Sequence, residues 1–348
     1  MAKGALVSPL NSFTRRSFLV MPVALAACYK RQQIIEFAGR SMGTTYRVVA
    51  VDHSNRVEEA EVRSAVSTAL AEVNATMSNW DGSSEISRLN AVPAGVVSGT
   101  SPQLSRVMQA AADVNTASAG RFDTTVGPLI ELWGFGAPGS RPMPSDAAIE
   151  QARAMSGHEN SLEVGNGTVR KTHADAQVYL AGIGKGYGAD HAGQAIEALG
   201  ISDYMVEIGG DLYASGRNPD GLPWQIGIES PNVAASGVLG VVGVSGLGLA
   251  SSGDYRNYFE VDGKRYSHLI DPATGRPVDH TTASATVVAD NAMLADAWST
   301  AMLILGRERG LEIADQHNVA VQFVERDPDA AQLSFRTSAN ATFKNLTA

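Results

Sequence analysis

The chain has 348 residues, of which 44% are hydrophobic and 18% are charged, a composition typical of a globular protein. Its formal net charge at pH 7 is −9, and loss of residues 1–27, which carry three basic side chains and no acid, would change it to −12. A protein this acidic is a poor nucleic-acid binder, so we expect no nucleic-acid partner. An anionic ligand would need local positive charge or a metal ion.

The first 28 residues are typical of an export signal. Residues 14–19 read Thr-Arg-Arg-Ser-Phe-Leu, the core of a twin-arginine signal, and the apolar stretch over 18–27 is too short to span a membrane. It ends in Leu-Ala-Ala-Cys at Cys28, the only cysteine, which resembles a lipobox whose cysteine is acylated. We predict a signal peptide over 1–27, a tether over 28–40 and a membrane-anchored lipoprotein facing the periplasm. The alternative is an ordinary twin-arginine signal with an incidental cysteine.

The first half of the remaining chain alternates between helix and strand patterns. Apolar and polar residues alternate over 45–51, which predicts a strand. Apolar residues at helical spacing predict helices over 57–77 and 102–118. A segment rich in Gly, Pro and Ser over 136–146 predicts a loop, and a further helix is expected over 185–199.

The second half begins with short apolar runs separated by turn residues, which predict an antiparallel sheet. These runs cover residues 204–208, 212–215, 224–228, 238–249, 255–261 and 266–270. A helix over 293–305, with Asp290 or Asn291 as N-cap and Gly306 just past its end, precedes a second helix and two strands. The mixed order predicts a single catalytic domain of the α+β class over residues 41–340.

A glycine-rich segment at the start of the predicted helix over 185–199 is a candidate phosphate site. It reads Ala-Gly-Ile-Gly-Lys-Gly-Tyr-Gly over residues 181–188. Free backbone N–H groups and the positive end of the helix dipole suit a phosphate, and Lys185 adds a full charge. The segment is neither a Walker loop nor the G-x-G-x-x-G fingerprint, so a simple tight turn is the alternative.

Two further patterns supply candidate chemistry. Asp296 and Thr300 lie four residues apart on a predicted helix, so both can face one Mg²⁺ ion, unless Asp296 is merely an exposed helix residue. His268 precedes a predicted Asp-Pro-x-Thr-Gly turn over 271–275 and could accept a proton from an alcohol, unless it is only half-buried in the sheet. No H-x-x-x-H or H-E-x-x-H pair occurs, which disfavours a zinc hydrolase.

Aromatic residues beside polar turns could stack on a planar ligand, although each is individually more typical of a core. They are Trp80, Phe122, Trp133 and Phe135.

Taken together, these patterns resemble the ApbE family of FAD:protein FMN transferases. The similarity rests on eight blocks in family order over nearly the whole chain after the signal peptide. They are S-M-G-T-T-Y at 41–46, M-S-N-W-D-G-S-S-E-I-S-R-L-N at 77–90, G-R-F-D-T-T-V-G-P-L-I-E-L-W-G-F-G at 120–136, G-I-G-K-G-Y at 182–187, I-G-G-D at 208–211, S-S-G-D-Y at 251–255, H-L-I-D-P-A-T-G at 268–275 and A-D-A-W-S-T at 295–300.

The resemblance implies a fold, a reaction and a site. The fold is one T-fold-related α+β domain with a mixed, largely antiparallel sheet and flanking helices. The reaction is Mg²⁺-dependent transfer of FMN from FAD, as substrate, to a threonine or serine of an acceptor flavoprotein, with release of AMP. The implied roles are His268 in the transfer; flavin-nucleotide contacts by Met42, Trp80, Arg121, Phe122, Asp123, Tyr179, Lys185 and Ile270; and metal ligation by Asp296, Thr300 and the carbonyl group of Gly182.

The chain departs from the family pattern at three positions. Tyr179 stands where the family usually has an acid, Ser299 where some members have a further acidic ligand, and Glu207 where asparagine is common. Family acceptors carry a short S/T-G-A-S/T-like segment, and none occurs here, so a separate acceptor protein is expected. The alternatives are an FAD pyrophosphatase and a non-catalytic flavin-binding lipoprotein.

Overall fold

The computed structural model describes residues 32–136, 143–232, 237–327, 329–330 and 333–347. The predicted signal peptide, Cys28 and part of the predicted loop over 136–146 lie outside the described residues. Within the described ranges, the strands in chain order are β1 (Gln33–Ser41), β2 (Thr44–Asp52), β3 (Val97–Gly99), β4 (Leu162–Gly165), β5 (Thr168–Lys171), β6 (Asp203–Ile208), β7 (Asp211–Ser215), β8 (Trp224–Glu229), β9 (Val238–Val244), β10 (Leu247–Gly253), β11 (Tyr258–Val261), β12 (Lys264–Ser267), β13 (Ile270–Asp271), β14 (Arg276–Pro277), β15 (Thr282–Ala289), β16 (Ala320–Arg326) and β17 (Phe335–Ala339).

The helices of the same ranges include the four long segments that the apolar spacing predicts. In chain order they are α1 (Glu59–Met77), α2 (Glu85–Ala91), α3 (Pro102–Ala117), α4 (Gly127–Leu132), α5 (Asp146–Ala154), α6 (His158–Ser161), α7 (Gly184–Glu197), α8 (Ala292–Gln316) and α9 (Ala341–Lys344). The short helices α2, α4, α5, α6 and α9 were not predicted, because so few turns carry little periodic signal.

An eight-stranded antiparallel sheet forms the centre of the described residues, in the order β1-β2-β6-β7-β10-β15-β16-β17. Alternate residues of each strand point to opposite faces. In β2, Val48 and Ala50 therefore join one core and Val49 and Val51 join another. Both faces of the sheet are buried, which confirms the predicted α+β class.

Helices cover one face of the sheet and a hairpin covers the other. On the first face, α7 and α8 pack against each other and against the central strands, and α1 packs on α7. On the second face, the β8–β9 hairpin contributes Trp224, Val242 and Val244 to a core that also contains Phe343 of α9. The candidate site residues lie where the start of α7 meets α8.

Helix α8 confirms both predicted end signals but continues past the second. The side chain of Asn291 accepts a hydrogen bond from the backbone N–H of Leu294 at 2.8 Å, as an N-cap does. Gly306 has φ 71° and ψ 171°, a conformation essentially restricted to glycine, and it interrupts the helix. The predicted second helix follows at once, so the two segments form one kinked element.

Two predicted boundaries are wrong. Residues 33–40 are not a tether, because they form most of β1, whose Ile35 and Phe37 are buried in the core. The domain accordingly extends beyond the predicted range 41–340 at both ends, since β1 precedes it and Phe343 of α9 is buried after it. The apolar run over 238–249 is two strands, because Gly246, at φ 67°, turns the chain between β9 and β10.

Within the described residues, none of the helices is both long enough and apolar enough to cross a membrane.

Candidate active site

The glycine-rich segment allows the first turns of α7 and α8 to touch. A Cβ atom at Gly186 would lie 2.1 Å from the carbonyl oxygen of Ala292, so a larger residue cannot occupy this position without displacing α8. Asp190 of α7 also accepts hydrogen bonds from the backbone N–H groups of Ala292 and Met293 at 2.8 and 2.9 Å. This packing places Asp296 of α8 against the start of α7.

Asp296 belongs to a cluster of three charged groups, in which the two carboxylates are buried and the ammonium group is partly exposed. Asp296 is 2% exposed, and its carboxylate accepts a hydrogen bond from the N–H of Gly186 at 3.0 Å and lies 3.4 Å from Nζ of Lys185. Lys185 also forms an ion pair with the buried Asp211. The cluster therefore holds one ammonium group between two carboxylates.

Burial and mutual charge set the protonation of this cluster. Burial alone would lower the pKa of Lys185, but the carboxylates of Asp211 and Asp296 outweigh it and raise that pKa above its ordinary value. Burial raises the pKa of Asp211 to about 7, and the neighbouring Asp296 carboxylate adds to the shift while Lys185 opposes it. Lys185 is thus a permanent cation fixed in position beside Asp296.

Hydroxyl groups extend the site by one turn of α8. Oγ1 of Thr300 lies 3.3 Å from Oγ of Ser252, which is 2.9 Å from Oγ of Ser299. A Cβ atom on Gly182 would be 3.0 Å from Oγ1 of Thr300, so Gly182 packs directly on this turn. The three residues predicted to bind metal therefore lie together. Within the described residues, no group of three or more His, Cys, Asp and Glu side chains could hold a metal ion.

His268 is oriented by the loop that follows β10. Its backbone N–H donates to the carbonyl oxygen of Asn257 at 3.0 Å, and its ring Nδ1 lies 3.1 Å from the same oxygen. A carbonyl oxygen only accepts, so Nδ1 must carry the hydrogen and Nε2 must carry the free lone pair. Burial lowers the pKa of His268, which favours the neutral ring at pH 7. His268 therefore presents a base through Nε2.

A cavity of about 150 Å³, called the Phe122 cavity below, brings most of the predicted residues together. Of the twelve predicted site residues, those that line it are Arg121, Phe122, Asp123, Tyr179, Gly182, His268, Ile270 and Thr300. Ile130 and Ile304 add further apolar surface. The Phe122 cavity thus joins an apolar recess to the hydroxyl group of Thr300 and to the predicted base.

The side chains of Asp123 and Tyr179 are already engaged by the protein. The carboxylate of Asp123 accepts hydrogen bonds from the N–H and the hydroxyl group of Thr125 at 2.7 and 2.6 Å and from the N–H of His158 at 3.1 Å. The hydroxyl group of Tyr179 donates to Glu131 at 2.8 Å. Burial, with this bond, raises the pKa of Tyr179 to about 12. Tyr179 therefore lines the cavity as a neutral ring.

Three predicted flavin contacts, Met42, Trp80 and Lys185, lie outside this lining. Met42 occupies the turn between β1 and β2 with φ 52°, and its sulfur would be 2.7 Å from a Cβ atom on Gly188 of α7. Trp80 is 74% exposed. Its neighbour Asn79 donates to the carbonyl oxygen of Val178 at 2.6 Å, which anchors this loop beside the segment that contains Tyr179.

Of the other aromatic candidates, Trp133 is a core residue. It is buried, stacks on Tyr266 with a centroid distance of 5.8 Å and donates from Nε1 to the carbonyl oxygen of Gly275 at 2.9 Å. Trp133 therefore holds the turn that follows His268. It is a core residue, the alternative to stacking on a planar ligand. Phe135 lies closer to the site, with its ring 6.4 Å from that of His268.

Three residues of the site were not predicted. Asp211 and Ser252 lie in the quoted I-G-G-D and S-S-G-D-Y blocks, but no pattern assigned them a role. Asn257 acts through its backbone carbonyl oxygen, so its side-chain type carries no signal. Their positions depend on which strands become neighbours in the sheet.

Comparison with known proteins identifies the family of the chain. A sequence model of the ApbE family matches residues 42–323. The chain belongs to the ApbE family. This family member is 38% identical over 337 residues to the FAD:protein FMN transferase of Haemophilus influenzae, a match that covers 94% of this chain and 96% of the relative.

Two solved structures extend the similarity to the fold of this ApbE-family chain. The flavin transferase ApbE from Vibrio cholerae superposes with a TM-score of 0.82 at 35% identity, covering 90% of this chain and 99% of that one. The flavinyl transferase ApbE of Pseudomonas stutzeri, in its apo form, superposes with a TM-score of 0.82 at 36% identity, covering 91% and 97%. The resemblance found in the sequence blocks is therefore confirmed.

Proposed function

We propose that this chain is an FAD:protein FMN transferase, which moves FMN from FAD to a threonine or serine hydroxyl group of an acceptor flavoprotein and releases AMP. The observation that carries the proposal is the convergence of the Phe122 cavity, the oxygen donors of α8 and the base His268 at one point. The relatives of the chain are named for this activity.

The Phe122 cavity suits one end of the dinucleotide. Its apolar walls, with Phe122 and Ile270 among them, can cover one planar heterocycle, but about 150 Å³ cannot hold all of FAD. The pyrophosphate would then lie outside the recess, near Gly182 and the start of α7. There the fixed ammonium group of Lys185 and the positive end of the α7 dipole attract an anion.

The residues beside the cavity fit a divalent cation of the Mg²⁺ type. A buried carboxylate, hydroxyl groups and a backbone carbonyl group are hard oxygen donors, the type that Mg²⁺ prefers, and it completes its shell with water or phosphate oxygens. Asp296, Thr300 and the carbonyl group of Gly182 would hold the ion. When bound, Mg²⁺ neutralises pyrophosphate charge and makes the phosphorus more electrophilic.

The residues of the chain then account for the proton and the leaving group. The acceptor hydroxyl oxygen forms a bond to the phosphorus on the riboflavin side, and its proton passes to Nε2 of His268. The bond between that phosphorus and the bridging oxygen breaks, and AMP leaves with the electron pair. Lys185, which Asp211 holds in place, offsets the negative charge that grows on the leaving phosphate.

AMP release tests the proposal. The purified protein with FAD and Mg²⁺ should release AMP much faster when a peptide carrying Ser-Gly-Ala-Thr is added, and one FMN should become covalently attached for each AMP formed. AMP release that ignores the peptide and yields only free FMN would instead identify an FAD pyrophosphatase.

We also propose that the chain is exported by the twin-arginine route and anchored by lipid at Cys28, so that it faces the periplasm. The support is the sequence over residues 14–28. Replacement of Arg15 and Arg16 by lysine should leave the precursor in the cytoplasm. Cys28→Ser should move the protein from the membrane fraction to the soluble fraction, and a Cys28→Ser protein that stays with the membrane would contradict the anchor.

A further inference from the structure

The segment over residues 254–257 carries the backbone oxygen that orients His268. The carbonyl oxygen of Asn257 accepts a hydrogen bond from the backbone N–H of His268 at 3.0 Å and lies 3.1 Å from ring Nδ1. The segment is an irregular connection between β10 and β11, so no ladder of strand hydrogen bonds fixes it. The position of the Asn257 oxygen therefore depends on what holds this segment to the rest of the domain.

A bidentate ion pair holds the start of the segment. Nη1 and Nη2 of Arg326, the last residue of β16, donate to the two carboxylate oxygens of Asp254 at 2.8 and 2.5 Å. The backbone N–H of Asp254 also donates to the carbonyl oxygen of Ala283 at 3.1 Å. Two parallel bonds between planar groups fix orientation as well as distance. The pair therefore clamps the segment to the sheet in one orientation.

The ion pair reaches across the start of β15, which lies between β10 and β16 in the main sheet. The register of β15 against β16 shifts between Thr282 and Ser284, as at a β-bulge. The backbone N–H of Arg326 donates to the carbonyl oxygen of Thr281, just before β15, at 2.9 Å. The pair thus links the ends of three neighbouring strands at the point where the segment leaves the sheet.

Another ion pair of the segment is too exposed to fix it. Arg256 pairs with Glu229 of β8, but their side chains are 63% and 58% exposed. The side chains of Arg326 and Asp254 are only 25% and 9% exposed. Solvent and salt screen exposed pairs, which are worth little, whereas they screen a partly buried pair much less. Asp254 is accordingly the stronger charged anchor of the segment.

We infer that Asp254 and Arg326 are positioning residues for the proposed transfer, because they hold the oxygen of Asn257 where it fixes the ring of His268. The inference rests on the proposed function, since it needs His268 as the base. Neither Asp254 nor Arg326 lines the Phe122 cavity. Their effect on the reaction therefore passes through the segment and His268, and not through contact with the ligand in that cavity.

The same pair sets the charge near His268. Burial lowers the pKa of His268 most strongly, while the bond to Asn257 and the carboxylate of Asp254 raise it. Arg326 neutralises that carboxylate. Loss of Arg326 should therefore raise the pKa of His268, and loss of the charge on Asp254 should lower it further.

The remaining titratable groups around His268 are the same in both substitutions. In the Phe122 cavity they are Arg121, Asp123 and Tyr179. A neighbouring cavity of about 510 Å³, which His268 also lines, adds Lys185, Glu207, Glu229, Tyr255 and Arg256. Differences between the two variants therefore report on the Asp254–Arg326 pair.

The pH dependence of FMN transfer to the Ser-Gly-Ala-Thr peptide tests the inference on the full-length protein. Asp254→Asn and Arg326→Gln should each lower kcat by about 10- to 100-fold and leave the FAD Kd unchanged, because a misplaced base slows the reaction without weakening ground-state binding. The pH at which the rate falls on the acid side should move up in Arg326→Gln and down in Asp254→Asn. Arg326→Lys keeps the charge but loses the fork, so it should lower kcat without moving that pH.

The control is Arg336→Gln on the neighbouring strand β17. It breaks a comparable pair, in which Arg336 meets the two carboxylate oxygens of Asp327 at 2.9 and 2.7 Å. This control should keep the kcat and the pH dependence of the wild type. Wild-type kcat in both Asp254→Asn and Arg326→Gln, or a shift of the acid side in the same direction in both, would overturn the inference. If Arg326→Gln does not fold, wild-type kcat in both Asp254→Asn and Arg326→Lys would overturn it.

Nitrogen NMR of the His268 ring separates this inference from the proposed function. The signal is assigned by its loss in His268→Ala, and the wild type should show the Nδ1–H form, a preference that Asp254→Asn and Arg326→Gln should weaken. If the ring changes in this way but the wild type forms no FMN-peptide, the pair still orients His268 and the transferase reaction is wrong. If both variants form FMN-peptide at the wild-type rate, the reaction stands and the positioning role is wrong.

Discussion

Replacement of Asp296 by asparagine separates the chemistry of the site from its stability. Asparagine keeps an oxygen that can accept the hydrogen bond from the N–H of Gly186. Lys185 loses its 3.4 Å contact with Oδ1 of Asp296 but keeps its ion pair with Asp211. The substitution removes the repulsion between Asp296 and Asp211, which share Lys185, and it also removes one of the two carboxylates that neutralise Lys185. These electrostatic changes oppose each other, so we expect the free energy of unfolding to change by no more than about 1 kcal/mol.

The effect on the rate should be far larger than the effect on stability. Asp296 is the only charged member of the proposed ligand set, and loss of a metal-mediated stabilisation of the transition state typically costs several kcal/mol. The rate of FMN transfer should therefore fall by about 10²- to 10⁴-fold. Initial rates are measured as FMN-peptide formation across a range of Mg²⁺ concentrations, beside thermal unfolding of the same preparations. The rate of Asp296→Asn should require more Mg²⁺ for saturation.

Asp296→Ala provides the matched comparison. Alanine also removes the acceptor of the Gly186 hydrogen bond. The free energy of unfolding of this variant should therefore fall by about 1–3 kcal/mol more than that of Asp296→Asn, with little additional loss of transfer rate. Transfer by Asp296→Asn at the wild-type rate and ordinary Mg²⁺ concentration would refute the metal assignment. A rate loss that follows the loss of stability across the two variants would show that Asp296 is only structural.

Three other substitutions probe the base, the exposed aromatic residue and the kink. His268→Ala should slow transfer by about 10²- to 10⁴-fold and leave the FAD Kd unchanged. Because burial lowers the pKa of His268, the transfer rate of the wild type should begin to fall only below pH of about 6.5. A fall in rate that starts at higher pH would contradict the role of His268 as the base. Trp80→Ala should change the free energy of unfolding by less than about 0.5 kcal/mol, since the side chain is 74% exposed, yet weaken FAD binding in a fluorescence titration; an unchanged FAD Kd would remove Trp80 from the site. Gly306→Ala should lower the free energy of unfolding by about 1–3 kcal/mol in chemical denaturation, because φ is 71° and the new Cβ would lie 2.9 Å from the ring of His280. If the variant unfolds with the free energy of the wild type, the kink does not require glycine.

The long elements and the α+β class follow from periodicity and end signals. Asn291 and Gly306 mark the ends of the first part of α8 because capping and a glycine-only conformation are local properties of the chain. The strand β1 was missed because only Ile35 and Phe37 give it a buried face, and its other residues resemble a polar tether. Gly246 was the available signal for the turn between β9 and β10.

The candidate site was predictable only as a set of motifs. Each residue alone left a structural alternative open, and Trp133 shows that such an alternative can be correct. The partnership of Lys185 with Asp211 depends on packing between α7 and β7, which are separated along the chain by the strand β6.

Intact-mass and fragment mass spectrometry of the acceptor peptide tests the central claim most directly. The peptide is incubated with FAD, Mg²⁺ and either the wild-type protein or the His268→Ala variant. The account predicts that the wild type adds the mass of FMN less one water to the threonine or serine hydroxyl group, with AMP in equal amount, and that the variant does so far more slowly. An unmodified peptide beside free FMN and AMP would contradict it.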